Sequence, residues 1–443
     1  MHNGGAKTAT PPAPGIILRW CLYLSLASIP FEIPNRTTLP VEVPTLLGAI
    51  LLLAALFQPR VSFRRPPAAF WWFAGYLYVF ALATSVNFLN DQREVLQLFL
   101  LILQNILVFW VAYNVMRDER VMTNALVTYV VACAIRAGLP LVGVGRTTRS
   151  VWTGGERWTW FGQNENNSAM FLAAGLIVLV GLTYGRARSA IRPKLLAWPL
   201  AALIAAAIVQ TGSRGGLVTL AAGLLAFILF NPAPSLRIRI RNTAVGLAAL
   251  SLLLGAAYAA PVMRDRLADT AEHGAMAGRE TLFPVLLRMF SEKPLLGWGP
   301  MNNDYELSLR ELYESEGEKR LFKRDTHNLM LETLTSTGLL GTVVFWPGIV
   351  LCVLAAWRAR TGPDGVLPLA VLAGLLMANM SGNYIGSKLL WFFLAVALAA
   401  SDRARRPERR FGRNKSDRAS VTHLPHPEGA GSLGSGSSVW PRT

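Results

Sequence analysis

The sequence predicts an all-α, polytopic membrane protein with about 12 transmembrane helices and one large hydrophilic loop. Three observations carry that reading. Across 443 residues, 52% are hydrophobic and only 16% are charged, with a mean hydropathy of +0.37. About twelve runs approach the roughly 20 apolar residues that a helix needs to cross a bilayer core. The Lys and Arg residues between those runs fall mainly in alternate connections, as the positive-inside rule requires.

The runs centre near Leu24, Leu51, Leu77, Leu107, Val131, Leu176, Ala202, Leu224, Leu250, Phe345, Ala373 and Leu394. The first is flanked by Lys7 and Arg19 without a small-residue cleavage motif, so it reads as a retained anchor. With the N-terminus placed in the cytoplasm, Arg60, Arg64, Arg65, Arg117 and Arg120 all fall inside. So do Arg186, Arg188, Arg192, Lys194, Arg237, Arg239, Arg241, Arg358 and Arg360. The opposite connections are Glu32–Glu42, Asn87–Glu94, Gly145–Asn167, Thr211–Gly215, the island 261–327 and Ser381–Ser387. The chain therefore divides into residues 1–260 with nine helices, the loop 261–327, residues 328–401 with three helices, and a basic tail 402–443. The tail is Arg-rich and then Gly/Ser-rich, the composition of a disordered extension.

The formal net charge of +17 is explained by topology and by attraction to anionic membrane lipids. No aromatic-interleaved basic domain is present, which excludes nucleic acid as a partner. Cys21, Cys133 and Cys352 lie inside apolar runs and define neither a disulfide framework nor a metal site.

Arginines on the translocated side run against the insertion bias and direct attention to a ligand. They are Arg146, Arg149 and Arg157 before the sixth helix, Arg214 in a tight turn, and Arg264, Arg266, Arg279 and Arg288 in the island. Pairing with Asp265, Asp269, Glu280 and Glu292 would account for the island residues without one. Arg214 sits among Gly212, Gly215 and Gly216, just before a helix whose N-terminal amides favour phosphate. A guanidinium there fits a diphosphate clamp, or equally a hairpin whose arginine snorkels to lipid heads. Arg279 opens an amphipathic segment, Thr281–Phe290; a second runs Tyr305–Arg324. Between them, Pro294-Leu295-Leu296-Gly297-Trp298-Gly299 is a helix stop followed by a turn.

His327 stands at the mouth of the next apolar run. A neutral imidazole there can accept a hydroxyl proton, although a lone histidine at a helix end also serves as a structural cap. Asp325 fits a role in orienting the ring, or a pair with Lys323 and Arg324. Glu332, just inside the following run, is a charge that costs roughly 2.5–3.5 kcal/mol to insert, so it is expected to face a polar cavity or the interface; the same cost singles out Arg136, within the fifth run. Asn164, Asn166 and Asn167 in Phe161–Ser168 suit contacts to sugar hydroxyls or an N-cap cluster. Neither a Walker pattern nor an Asp-rich metal cluster stands out on the outer side, so no cofactor and no metal are expected.

In this order, the Phe161–Ser168 element, the Thr211–Gly216 turn and the loop bearing Arg279 and the Pro294–Gly299 turn resemble the O-antigen ligase and polymerase superfamily of bacterial membrane glycosyltransferases. The closing His327-Asn328-Leu329-Met330-Leu331-Glu332 and Gly338-Leu339-Leu340-Gly341 segments complete the resemblance, which runs from about Trp160 to Trp346. It implies a GT-C-like fold in the bacterial inner membrane with a periplasmic site and cytoplasmic termini. It further implies an undecaprenyl-diphosphate-linked glycan donor and a lipid A-core or growing-glycan acceptor. Arg214 and Arg279 would bind the diphosphate, and His327 would activate the acceptor hydroxyl. The expected reaction is inverting and metal-independent. A ligase is the leading expectation, a repeat-unit polymerase is the alternative within the same chemistry, and a small-anion transporter is the alternative of another class.

Overall fold

The computed structural model describes residues 13–32, 42–87, 92–150, 156–184, 194–232, 235–273, 279–314 and 325–405. Every predicted apolar run is a helix: α1 (Ile16–Ser28), α2 (Val43–Leu56), α4 (Ala68–Val86), α5 (Gln92–Val115), α6 (Glu119–Gly138) and α7 (Glu165–Tyr184). The series continues with α8 (Lys194–Gln210), α9 (Arg214–Phe230), α10 (Leu236–Ala259), α15 (Gly338–Ala359), α16 (Leu367–Asn379) and α17 (Lys388–Ala404). A one-turn α3 (Pro59–Ser62) joins α2 to α4. Six of the helices, α4, α5, α6, α7, α10 and α15, are long and apolar enough to cross a membrane; α1, α2, α8, α9 and α16 are shorter apolar helices. The protein is thus an all-α, polytopic membrane protein.

The helices begin where the local chemistry allows. Asp118 caps α6 by accepting from the Arg120 and Val121 amides, Ser213 caps α9 at Gly216, and Ser235 caps α10 at Ile238. Large apolar side chains face outward, among them Phe57, Tyr78 and Leu252, which suits lipid rather than water as the surrounding solvent. Inside, α16 packs against α9 and α7, and α15 against α4 and α17. Gly374 on α16 meets α9 so closely that a Cβ there would lie 2.8 Å from the Thr219 carbonyl oxygen. Without a hydrophobic drive between helices in lipid, such close approach supplies the packing. Phe73, Phe109, Phe345 and Trp391 form an aromatic core between α4, α5, α15 and α17.

The polar contacts sort into two ends. At one, Trp110 donates to the Arg64 carbonyl and Asn114 to that of Ser62, while Tyr113 and Arg117 reach Asp402 and Arg403 pairs with Asp364. At the other, Lys388 pairs with Glu32 and Glu42, Lys293 reaches Asn87, and Arg157 donates to the Thr211 carbonyl. The basic connections near 60–65 and 117–120 thus lie at the same end as Asp364 and Asp402.

The island is helical where it is described: α11 (Pro261–His273), α12 (Arg279–Glu292) and α13 (Asn302–Glu314), followed by α14 (Leu329–Ser336). The second predicted amphipathic segment is covered by α13 as far as Glu314; residues 315–324, the 185–193 connection and the tail from 406 lie outside the described residues. One element was not foreseen. Arg146–Ser150 (β1) and Glu156–Trp160 (β2) pair as an antiparallel ribbon, with register from Arg146↔Trp160 to Ser150↔Glu156.

Candidate functional site

The turn between α8 and α9 is built by its own hydroxyls. Thr211 Oγ1 donates to the Ile208 carbonyl at 2.6 Å and accepts from the Ser213 amide, while Gly212 takes φ +60. Ser213 Oγ both caps α9 and donates to Asn166 Oδ1 at 2.7 Å. Arg214 is the first residue of α9, and its guanidinium donates to the Arg266 carbonyl and the Thr270 hydroxyl on α11. Arg157 is buried and committed to this turn, with Nε 2.8 Å from the Thr211 oxygen and a 3.5 Å ion pair to Glu165.

Arg279 opens α12, as the sequence predicts, and its Nη2 donates to the Ser381 carbonyl at 2.7 Å. The helix is held in place by an apolar cluster of Leu282, Val285, Leu286, Met289 and Leu307. The turn that follows plugs into the break between α14 and α15. The Trp298 and Gly299 amides donate to the Thr335 and Ser336 carbonyls, and Leu339 donates back to Pro294. Gly297 and Gly338 both take positive φ there, +67 and +65, so the two glycine-bearing motifs lock one another.

His327 has φ +51, unusual for a non-glycine residue and worth of order 1–3 kcal/mol in strain unless its neighbours hold it. They do. Its amide lies 3.3 Å from Asp325 Oδ1, and its Nδ1 lies 3.9 Å from Asp325 Oδ2. Asn328 caps α14 at the Met330 and Leu331 amides and donates to the Met380 carbonyl at 3.3 Å. The imidazole itself remains 41% exposed.

Three separated stretches thus meet one turn. Arg279 contacts Ser381, Asn328 contacts Met380, and a Cβ on Gly215, beside Arg214, would sit 3.1 Å from Ser381 Oγ. The matched family spans these same stretches: residues 199–346, from α8 into α15, match the O-antigen ligase family. That match covers about a third of the chain and makes this stretch similar to the O-antigen ligase family. No curated protein matches the chain. Arg214, Arg279 and His327 all lie within the matched stretch.

The remaining predicted residues divide. Glu332 does not lie in the long apolar helix; it belongs to the short α14, because Gly338 breaks the run. It is 5% exposed and accepts from Thr326 Oγ1 at 2.9 Å and Asn303 Nδ2 at 3.1 Å. Burial, reinforced by the Asp325 carboxylate, pushes its carboxyl from 4.5 up to about 7. Asp304, Asp325 and Glu332 bring carboxylate oxygens within 4.8 Å of one another, the one such grouping among the described residues. The sequence reading did not group them, because Asp304 lies on a separate segment from Asp325 and Glu332.

Arg136 is buried and donates to the Pro30 carbonyl, Gln163 and Ser168, with its guanidinium over Trp160. It braces the Phe161–Ser168 element and borders a cavity of about 100 Å³ that Trp158 and Gln210 also line. Asn164 takes the capping alternative, accepting from the Asn166 amide at 2.8 Å. Asn166 ties the element to the Arg214 turn, and Asn167 is half-buried on α7. The sequence reading missed Ser381 and Tyr384; their signal was a polar, glycine-bearing stretch, Ser381-Gly382-Asn383-Tyr384, between two apolar runs.

Proposed function

We propose that this protein transfers a glycan from undecaprenyl diphosphate to a sugar hydroxyl of lipid A-core, on the periplasmic side of the inner membrane. The observation that carries the proposal is the meeting of Arg279, the Arg214–Gly215 helix start and the His327–Asn328 mouth at the Met380–Ser381 turn. The acceptor oxygen attacks the anomeric carbon and forms the new glycosidic bond. The bond from that carbon to the diphosphate oxygen breaks, and its electron pair leaves with the lipid diphosphate. The hydroxyl proton passes to the neutral His327 imidazole, whose ring Asp325 orients. Attack opposite the departing diphosphate inverts the anomeric centre.

Each guanidinium hydrogen bond to the growing negative charge contributes roughly 1.5–3 kcal/mol. General-base help adds about 10²–10⁴ in rate. The donor carries its own leaving group, so the reaction needs no nucleotide. The basic end formed by Arg60, Arg64, Arg65 and Arg117 supports placing both termini in the cytoplasm and the site opposite.

Purified protein given lipid-linked glycan and lipid A-core should yield one discrete shifted product. His327→Ala should lose transfer while keeping its thermal midpoint. Transfer retained in that variant rejects the base assignment, and a ladder growing on the carrier lipid assigns polymerase instead.

A further inference from the structure

The turn on which the site converges is itself rigidly mounted. Asn379, buried at the end of α16, accepts from the Tyr384 amide at 3.3 Å and donates to the Leu375 carbonyl at 2.8 Å. Trp391 donates to the Ile385 carbonyl at 2.7 Å, and Asn105 donates to that of Gly386 at 3.0 Å. These ties come from α5, α16 and α17, so the turn is fixed to the transmembrane core rather than to the loop above it.

Tyr384 folds back across this turn. A Cβ on Gly382 would lie 2.6 Å from the Tyr384 ring and 2.7 Å from its hydroxyl oxygen, so the phenol lies over Gly382, the next residue after Ser381, whose carbonyl accepts from Arg279. The ring is only 8% exposed. Two charges act on the hydroxyl besides the effect of burial: the Asp325 carboxylate and the Arg279 guanidinium. Asp325 is the residue beside His327, and Arg279 is the group read above as binding phosphate. Burial and Asp325 hold the phenol above its ordinary value of 10.0, against the smaller opposing pull of Arg279. At neutral pH it keeps its proton and is a donor.

We propose that Tyr384 is a third binding arm of the site, donating its phenolic O–H to a diphosphate oxygen of the lipid-linked donor beside Arg279. This rests on the lipid-diphosphate reading above. An arginine supplies charge to the anion. A neutral, turn-mounted donor supplies direction and favours the second phosphate, which a monophosphate lacks.

The experiment measures binding of farnesyl diphosphate to the full chain in nanodiscs, with farnesyl monophosphate as control. Wild type binds the diphosphate more tightly. Tyr384→Phe, which removes one oxygen, weakens diphosphate binding about 10-fold, the scale of one hydrogen bond to a charged group. It leaves the monophosphate affinity and the thermal midpoint unchanged. Gly382→Ala, which displaces the phenol while retaining it, produces the same loss. Wild-type diphosphate affinity in Tyr384→Phe, alongside weakened binding in Arg279→Ala, overturns the Tyr384 assignment and leaves the lipid-diphosphate reading standing. A fall in midpoint together with equal losses for both ligands assigns Tyr384 a structural role and also overturns it. Indifference of wild type to the second phosphate, with Arg279→Ala binding normally, overturns the underlying reading.

Discussion

Asn328→Ala should uncouple His327 from the rest of the site. The side chain performs two tasks: it accepts from two α14 amides and donates to the Met380 carbonyl. Losing an asparagine cap costs about 1 kcal/mol. Losing the tertiary hydrogen bond costs about 1 kcal/mol more. The combined cost, about 2 kcal/mol if the two add, is a modest part of ordinary stability, so the protein should still insert and fold. Activity should suffer more. His327 holds φ +51 only while its neighbours oppose relaxation, and a displacement of about 1 Å at a reacting group can cost about 10²-fold. Asn328→Ser separates the two tasks, because serine can cap the helix but is too short to reach Met380. Steady-state transfer and thermal unfolding should be measured for both variants. The expected order is wild type, then Ser, then Ala, with Ala about 10²-fold down in turnover. Wild-type turnover in Asn328→Ala would refute the idea that the α14 mouth positions the base.

Arg214→Ala should lose more transfer than Arg214→Lys, since lysine keeps the charge but not the planar fork; equal, near-normal rates in both would remove Arg214 from the site. Glu332 gives a pH signature. Its carboxyl is raised from 4.5 to about 7, so between those values the folded state holds the extra proton. Stability should therefore fall as pH rises through that window, and Glu332→Gln should flatten the melting-temperature profile there; a wild-type profile unchanged by the substitution would show that Glu332 does not titrate as described. EDTA should leave turnover unchanged, because guanidinium groups carry the leaving-group charge. Inhibition reversed by a divalent ion would instead assign that charge to a cation, with Asp304, Asp325 and Glu332 as its ligands.

What the sequence made legible was local. Apolar run length located the helices, and the glycine-flanked Arg214 and the opening of the amphipathic segment placed two arginines at helix starts. His327 at a helix mouth was equally readable. The break at Gly338 was harder: Thr335-Ser336-Thr337-Gly338 is a polar interruption of the run, but the reciprocal hydrogen bonds that fix it come from the Pro294–Gly299 turn. The ribbon at 146–160 was absorbed into a presumed loop, although threonines and tryptophans flanking Gly154-Gly155 are a hairpin signal. The turn carrying Ser381 and Tyr384 was read only as a short outer connection. Its importance comes from residues over 100 positions away in sequence, such as Arg279, and no periodicity reports that.

The most direct test is a cryo-EM map of the protein in nanodiscs with undecaprenyl diphosphate bound. The account predicts diphosphate density within hydrogen-bonding reach of the Arg214 and Arg279 guanidinium groups, above the Met380–Ser381 turn, with the His327 imidazole facing the position of the anomeric carbon. Diphosphate density at the opposite, basic end of the bundle, or at a distance from all three side chains, would contradict it.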